Sequence, residues 1–203
     1  MKLYDGGRAP NPRRVRIFLA EKGISVPVEP VDLGAGAHKS EAFAAINPLQ
    51  RLPVLILDDG TVLTESIAIC RYFEAMQPEP ALFGRDAKGQ ALIEMWQRRL
   101  ELNLFLPVQA VFRHLHPGMK QLEVPQVAEW GEANKPRVLD FLALLERELE
   151  ARQFVAGDEF SIADITGLVT LDFMKPAKLP IPAELTNVHR WHRDLGARPS
   201  AAA

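Results

Sequence analysis

The N-terminal third of the chain changes its hydrophobic period repeatedly, between the alternation of strands and the three-and-four spacing of helices. Lys2-Leu-Tyr4 is a short strand candidate, and Asp5-Gly-Gly-Arg-Ala-Pro10 is loop by its glycines and proline. Asn11, a favoured N-cap residue, and Pro12 at the first helical position then open a helix. Its stripe of Val15, Phe18 and Leu19 runs to a stop at Gly23. Val26–Val31 predicts a second strand, placed at a sheet edge because Pro27 and Pro30 cannot donate to a ladder. After a loop through His38 and Lys39, Ser40–Ile46 reads as a short helix or turn leading to Asn47-Pro48. Two apolar runs, Leu52–Leu57 and Thr61–Leu63, are joined by Asp58-Asp59-Gly60, whose Asp-Gly step supplies the positive φ angles of a tight hairpin. Ile69, Phe73 and Met76 recur at i, i+4 and i+7, so a helix follows at once.

Gln77-Pro-Glu-Pro80 interrupts this periodicity, and beyond Phe83-Gly84 every patterned segment is helical. The expected division is therefore 1–76, a linker at 77–84, and a second domain at 85–203 with no strand. Ala87–Gly118 contains a long helix with a kink expected at Pro107. In Pro125–Arg152, Val138, Leu142, Leu145 and Leu149 form the stripe of a bundle helix, with Pro136 near its start or at a kink. Phe160-Ser-Ile-Ala-Asp-Ile165 is a strong helix entry, with Ser161 as N-cap and Asp164 at the third position. A last helix spans about Asn187–Leu195. The fold class is α/β plus all-α.

Composition narrows the partners. The 203 residues are 47% hydrophobic, enough for one large or two small cores. The formal charge is −2, and residues 1–76 carry nine basic against nine acidic side chains, so no field favours nucleic acid or an anionic membrane. No signal-peptide core or run of about 18 apolar residues is present, which makes the cytoplasm the expected location. Cys70 is the only cysteine, which excludes internal disulfides, a Cys-x-x-Cys pair and a thiolate-rich metal site. His114 and His116 would leave a helix on different faces, and His189 and His192 lack a nearby carboxylate or sulfur partner in the sequence, so no metal is expected.

The most chemical stretch is the helix start at Glu65-Ser66, where a carboxylate and a hydroxyl stand beside free backbone N–H groups and a hairpin entered through Pro53. That combination suits a small zwitterion. Asn47-Pro48 with Leu52-Pro53-Val54, then Leu63-Thr-Glu-Ser-Ile-Ala-Ile69, then Ser161–Asp164 and a terminal Arg-Pro-Ser together resemble the cytosolic glutathione transferase superfamily. The resemblance covers essentially the whole chain. It implies a thioredoxin-like domain followed by a helical bundle, a homodimer, glutathione as co-substrate and no metal.

Glutathione has two carboxylates, an ammonium and a thiol, so its site needs anion donors at both ends, a carboxylate, and a means of favouring thiolate. The resemblance assigns the γ-glutamyl end to Glu65 and Ser66, and the cysteinyl backbone to Leu52 ahead of a cis Pro53. It assigns the glycine carboxylate to His38 and Lys39, which Arg51 can join. A solvated loop charge is the alternative reading of those three, and helix capping is the alternative for Ser66. The chain departs from the family where a Ser, Thr, Tyr or Cys follows the first strand: Gly7-Arg-Ala-Pro-Asn-Pro12 puts Ala9 there, and alanine cannot donate. Asn11 is the candidate catalytic residue, with an ordinary N-cap as its alternative. Tyr4 reads better as a packed strand residue, Arg8 adds positive potential, and Cys70 reads as a buried small hydrophobe. The expected activity is transfer of the glutathione thiolate to an electrophilic apolar substrate. The alternatives are glutathione-dependent disulfide reduction and a non-catalytic binding or scaffold role.

Overall fold

Four short strands, β1 (Lys2–Asp5), β2 (Val28–Pro30), β3 (Val54–Ile56) and β4 (Val62–Thr64), form one sheet in the order β2-β1-β3-β4. The computed structural model describes residues 1–203. β1 pairs parallel with β2 and antiparallel with β3, Tyr4 standing opposite Val54. A parallel pair needs a crossover, and helix α1 (Pro10–Lys22) supplies it. The β3–β4 hairpin closes with the Leu57 N–H on Thr61 O at 2.9 Å, and Gly60 takes φ 85°. β2 lies at the sheet edge and is shorter than the apolar run around it, since Pro27 and Pro30 have no N–H to give.

α1 begins earlier than expected. Its N-cap is Ala9, and Pro10 is the first helical residue, so Asn11 lies inside the first turn and is not the cap. Proline suits that first position because its φ is preset and its missing N–H would have no helical partner. The helix ends at Gly23, φ 64°, whose N–H bonds Ala20 O at 3.1 Å while the Ile24 N–H bonds Leu19 O at 2.9 Å. α2 (Glu41–Ile46) is capped by Ser40, whose Oγ accepts from Phe43 N at 3.2 Å. α3 (Ser66–Met76) packs on α1, and Lys22, its side chain fully buried, ties down the segment that follows. Its Nζ donates to the carbonyls of Gln77 (2.8 Å), Pro78 (3.1 Å) and Pro80 (2.5 Å), and pairs with Glu74 at 2.5 Å.

The chain divides into two units, Met1–Leu82 with Pro199–Ala203, and Phe83–Arg198. The terminal residues thus belong with the sheet, and not with the helical half to which the 85–203 range assigned them. The cause is polar: Arg13 Nη2 donates to Ala201 O at 3.0 Å, and Ser200 hydrogen-bonds Glu21, both on α1.

The second unit contains α4 (Ala87–Leu100), α5 (Leu106–Leu115), α6 (Ala128–Glu148), α7 (Ile162–Met174) and α8 (Thr186–Gly196). The kink expected at Pro107 is instead a π-helical turn, Glu101–Phe105, joining α4 to α5. Pro107 cannot donate to the Asn103 carbonyl, so the preceding turn widens and Leu106 N–H reaches Glu101 O, five residues back. Pro136 sits inside α6 without ending it. α7 is buried on nearly every side, and the sequence-read entry box fixes its start. Asp164 Oδ2 accepts from the N–H (3.0 Å) and Oγ (2.9 Å) of Ser161, and Oδ1 accepts from Val155 N (2.9 Å) and Trp191 Nε1 (3.0 Å).

Candidate functional site

The antiparallel register of β1 and β3 brings the loop after one strand beside the residues before the other. Gly6 lies against Leu52: a Cβ at Gly6 would stand 3.1 Å from Leu52 Cδ1 and 2.9 Å from Leu33 Cδ1. The Leu52–Pro53 peptide is cis, and the Leu52 side chain is buried with Phe43 and Val54. Asn47, 2% exposed, fixes the approach to this bond, its Nδ2 donating to Arg51 O (2.8 Å) and its Oδ1 accepting from Leu49 N (3.1 Å). Gln50 Nε2 reaches Lys39 O at 3.3 Å, which joins the Arg51 loop to the turn carrying His38 and Lys39.

At the same open end of the hairpin, where Val54 pairs with Thr64, Glu65 is the N-cap of α3 and is held at φ 64° and ψ 117°. A non-glycine residue there costs about 1–3 kcal/mol and persists where its surroundings or its function demand it. Its carboxylate is exposed. Ser66 is the first helical residue, so it does not cap its helix. Its Oγ, buried, accepts from Arg14 Nη1 at 2.7 Å. The N–H groups at this helix start precede the first intrahelical bond, Ile69 N to Glu65 O at 3.0 Å, and form an anion-favouring end.

The start of α1 differs. Pro10 and Pro12 have no N–H and the Arg13 N–H is bonded to Ala9 O at 3.1 Å, so the donors of this turn are concentrated in Asn11. Asn11 Oδ1 accepts from Arg14 Nη1 at 2.9 Å, which turns the amide's NH2 end the other way. The Asp5 carboxylate, 5% exposed, accepts from Gly7 N (2.5 Å) and Arg16 Nη1 (2.5 Å), holding the intervening loop. Ala9 contributes no donor. Tyr4 packs edge-on to Phe43, ring centroids 6.2 Å apart. Cys70 is fully buried, and burial pushes its thiol far above the ordinary range, so it is inert in this fold.

His38 is 8% exposed, and its Nδ1 has no hydrogen-bond partner within the chain. Burial, with Lys39 beside it, lowers its pKa and keeps the ring neutral near pH 7. Lys39 and Arg51 are exposed. The structure therefore gathers Leu52, Pro53, His38, Lys39 and Arg51 around one pair of loops, and joins Asn11 to Ser66 through Arg14. Sequence reasoning missed Arg14 and Asp5. Arg14 sits in a basic run, Arg13-Arg14-Val-Arg16, that reads as a solvated face, and only its place three residues after Asn11 hinted at a shared face. No group of three or more His, Cys, Asp or Glu side chains is placed to hold a metal, and no helix is long and apolar enough to cross a membrane.

A thioredoxin-like sheet unit, with a second unit of helices, defines the class. Family models agree: the glutathione S-transferase N-terminal domain matches residues 1–75 and the glutathione S-transferase C-terminal domain residues 128–194. Glutathione S-transferase 2 of Saccharomyces cerevisiae is 38% identical over 203 residues, covering 98% of this chain and 87% of the relative. A crystal structure of a glutathione S-transferase domain-containing protein from Marinobacter aquaeolei superposes with a TM-score of 0.94 at 40% identity, covering 98% of this chain and 99% of that one. That of Gtt2 from Saccharomyces cerevisiae also gives 0.94, at 38% identity, covering 100% and 99%. The chain belongs to the glutathione S-transferase family, enzymes whose co-substrate is glutathione.

Proposed function

We propose that the sheet unit binds glutathione in a divided site and delivers its thiolate to an electrophilic carbon of an apolar substrate. The observation that carries this reading is the start of α3, where Glu65 is held at positive φ beside a buried Ser66 hydroxyl. Glu65 takes the γ-glutamyl ammonium, while Ser66 and the helix N–H groups take the α-carboxylate. Leu52 pairs its backbone with the cysteinyl residue as an added strand. His38, with its spare Nδ1, takes the glycine carboxylate, and Lys39 and Arg51 add positive charge around it.

The sulfur falls to Asn11. Its amide NH2 and backbone N–H stabilise the thiolate after the thiol has lost its proton to solvent. A sulfur lone pair then forms the C–S bond as the carbon's bond to its leaving group breaks with both electrons. The chain supplies binding, orientation and negative-charge stabilisation. Within the helical unit, Phe112, Phe173 and His116 form a partly buried aromatic group, Phe112 centred 5.0 Å from Phe173 and 4.8 Å from His116. Arg113 and His114, on the same helix, line a separate cleft of about 340 Å³ beside the half-exposed Leu102, Leu106 and Trp130. Those exposed apolar side chains favour a subunit interface and hence a homodimer, and dependence on reduced glutathione favours the cytoplasm.

Parallel rate assays with an aryl halide and with a small disulfide test the reaction type. Transfer to the halide with little disulfide turnover is the expected result, and the reverse pattern would assign the chain to disulfide reduction. Ala9→Ser, which restores a hydroxyl to the sulfur slot, is expected to raise the halide rate.

A further inference from the structure

The geometry points to Arg14 as a positioning residue that sets the donor directions of both halves of the glutathione site, so that the sulfur end and the γ-glutamyl end respond to one buried cation. This inference rests on the placement of Asn11 at the sulfur and Ser66 at the α-carboxylate. Arg14 is 1% exposed, on α1, and its Nη1 donates to Asn11 Oδ1 (2.9 Å) and to Ser66 Oγ (2.7 Å). A guanidinium nitrogen of this kind has two hydrogens, and these two bonds use both.

The consequences are directional. Asn11, with one lone pair of its oxygen taken by the guanidinium, is turned so that its NH2 group is the end left for a ligand. Ser66 has one lone pair taken in the same way, and its O–H remains to give. Both neighbours of Arg14 are thereby oriented as donors, which is what a thiolate and a carboxylate require. The donation is charge-assisted, so each hydroxyl or amide is polarised towards donating more strongly than it would alone. Arginine suits the position because it keeps its charge when buried and holds its hydrogens in a fixed plane.

Other charges face this cation. From α3, Cys70 and Glu74 lie close enough for Arg14 and Glu74 to act oppositely on the Cys70 thiol, and Glu74 is also paired to Lys22 at 2.5 Å. Burial keeps the Cys70 thiol protonated near neutrality.

The test measures two quantities on wild type, Asn11→Ala, Ser66→Ala, Arg14→Lys and Arg14→Met. One is the dissociation constant of S-methylglutathione, which has the carboxylates but no thiol. The other is the pKa of the bound glutathione thiol, read from thiolate absorbance against pH. Arg14→Met is expected to weaken S-methylglutathione about tenfold or more and to raise the bound thiol pKa by about one pH unit or more. Arg14→Lys, which keeps the charge without the fork, should do both to a smaller extent. A well-folded Arg14 variant that moves neither quantity, or only one, overturns the proposal. If both Arg14 variants fail to fold, the cross effects decide. Ser66→Ala should still raise the thiol pKa, and Asn11→Ala should still weaken S-methylglutathione. If each single change moves only its own quantity, Arg14 does not couple them. If Asn11→Ala leaves the thiol pKa and Ser66→Ala leaves S-methylglutathione binding unchanged, it is the underlying assignment of the two residues that fails.

Discussion

Trp191 Nε1 donates to Asp164 Oδ1 at 3.0 Å, tying α8 to the start of α7 through two fully buried side chains. The same carboxylate accepts from Ser161 and from Val155. Asp164→Ala strands all of these donors and is expected to destabilise the protein by about 3 kcal/mol or more in urea unfolding.

The pH dependence of that loss has a definite sign. Burial pushes the Asp164 carboxyl up from 3.8 to about 6, its four donors only partly opposing this. The native state therefore holds this proton more tightly than the unfolded chain. Its contribution is complete below about pH 4 and declines as pH rises through about 6. The stability gap between wild type and Asp164→Ala should accordingly be wider near pH 4 than near pH 7; a gap that widens towards pH 7 would reverse the assignment.

Glu146 behaves in the opposite sense. The N-cap of α8 is Leu185, which cannot cap, and Glu146 on α6 substitutes for it. Its carboxylate accepts from Asn187 N and Val188 N, each at 3.0 Å, and from Asn187 Nδ2 at 2.9 Å. Burial alone would raise its pKa, but these donors hold it below the ordinary 4.5. Its contribution is thus present above about pH 4.5 and is lost as pH falls through the lowered value. Glu146→Ala is expected to destabilise by about 1 kcal/mol at neutral pH, as removal of a helix cap does, and by less in acid. Thermal unfolding at the two pH values measures both.

His38 yields a prediction about the ligand. Its Nδ1 is buried without a partner in the chain, and in the Nδ1–H tautomer it can donate to the glycine carboxylate. His38→Ala should weaken glutathione by about tenfold, yet change little for an analogue whose glycine carboxylate is amidated. Equal losses for both ligands would remove His38 from that contact.

Much of the fold was legible because periodicity and punctuation agreed. Gly23 ends α1, Gly60 turns the hairpin, and the Ser161–Asp164 box opens α7, each a local signal obeyed locally. Asn11 was misread as a cap because two prolines competed for the first helical position and Pro10 took it. The π-helical turn was invisible because a proline announces a missing bond without saying which neighbouring turn absorbs it. Within the site, Glu65 and Ser66 stand out in the sequence by their order after the hairpin. Arg14 does not, since burial of a basic side chain depends on α1 meeting α3, a long-range contact that no local pattern encodes. Glu146 escaped for the same reason, capping a helix forty-one residues away.

Titration calorimetry of glutathione into wild type, Glu65→Ala and Ser66→Ala isolates the binding of the γ-glutamyl end at the start of α3. Saturable binding to wild type is expected, weakened about tenfold or more by either substitution. Absence of binding to wild type at millimolar glutathione, or unchanged affinity in both folded variants, would contradict that placement.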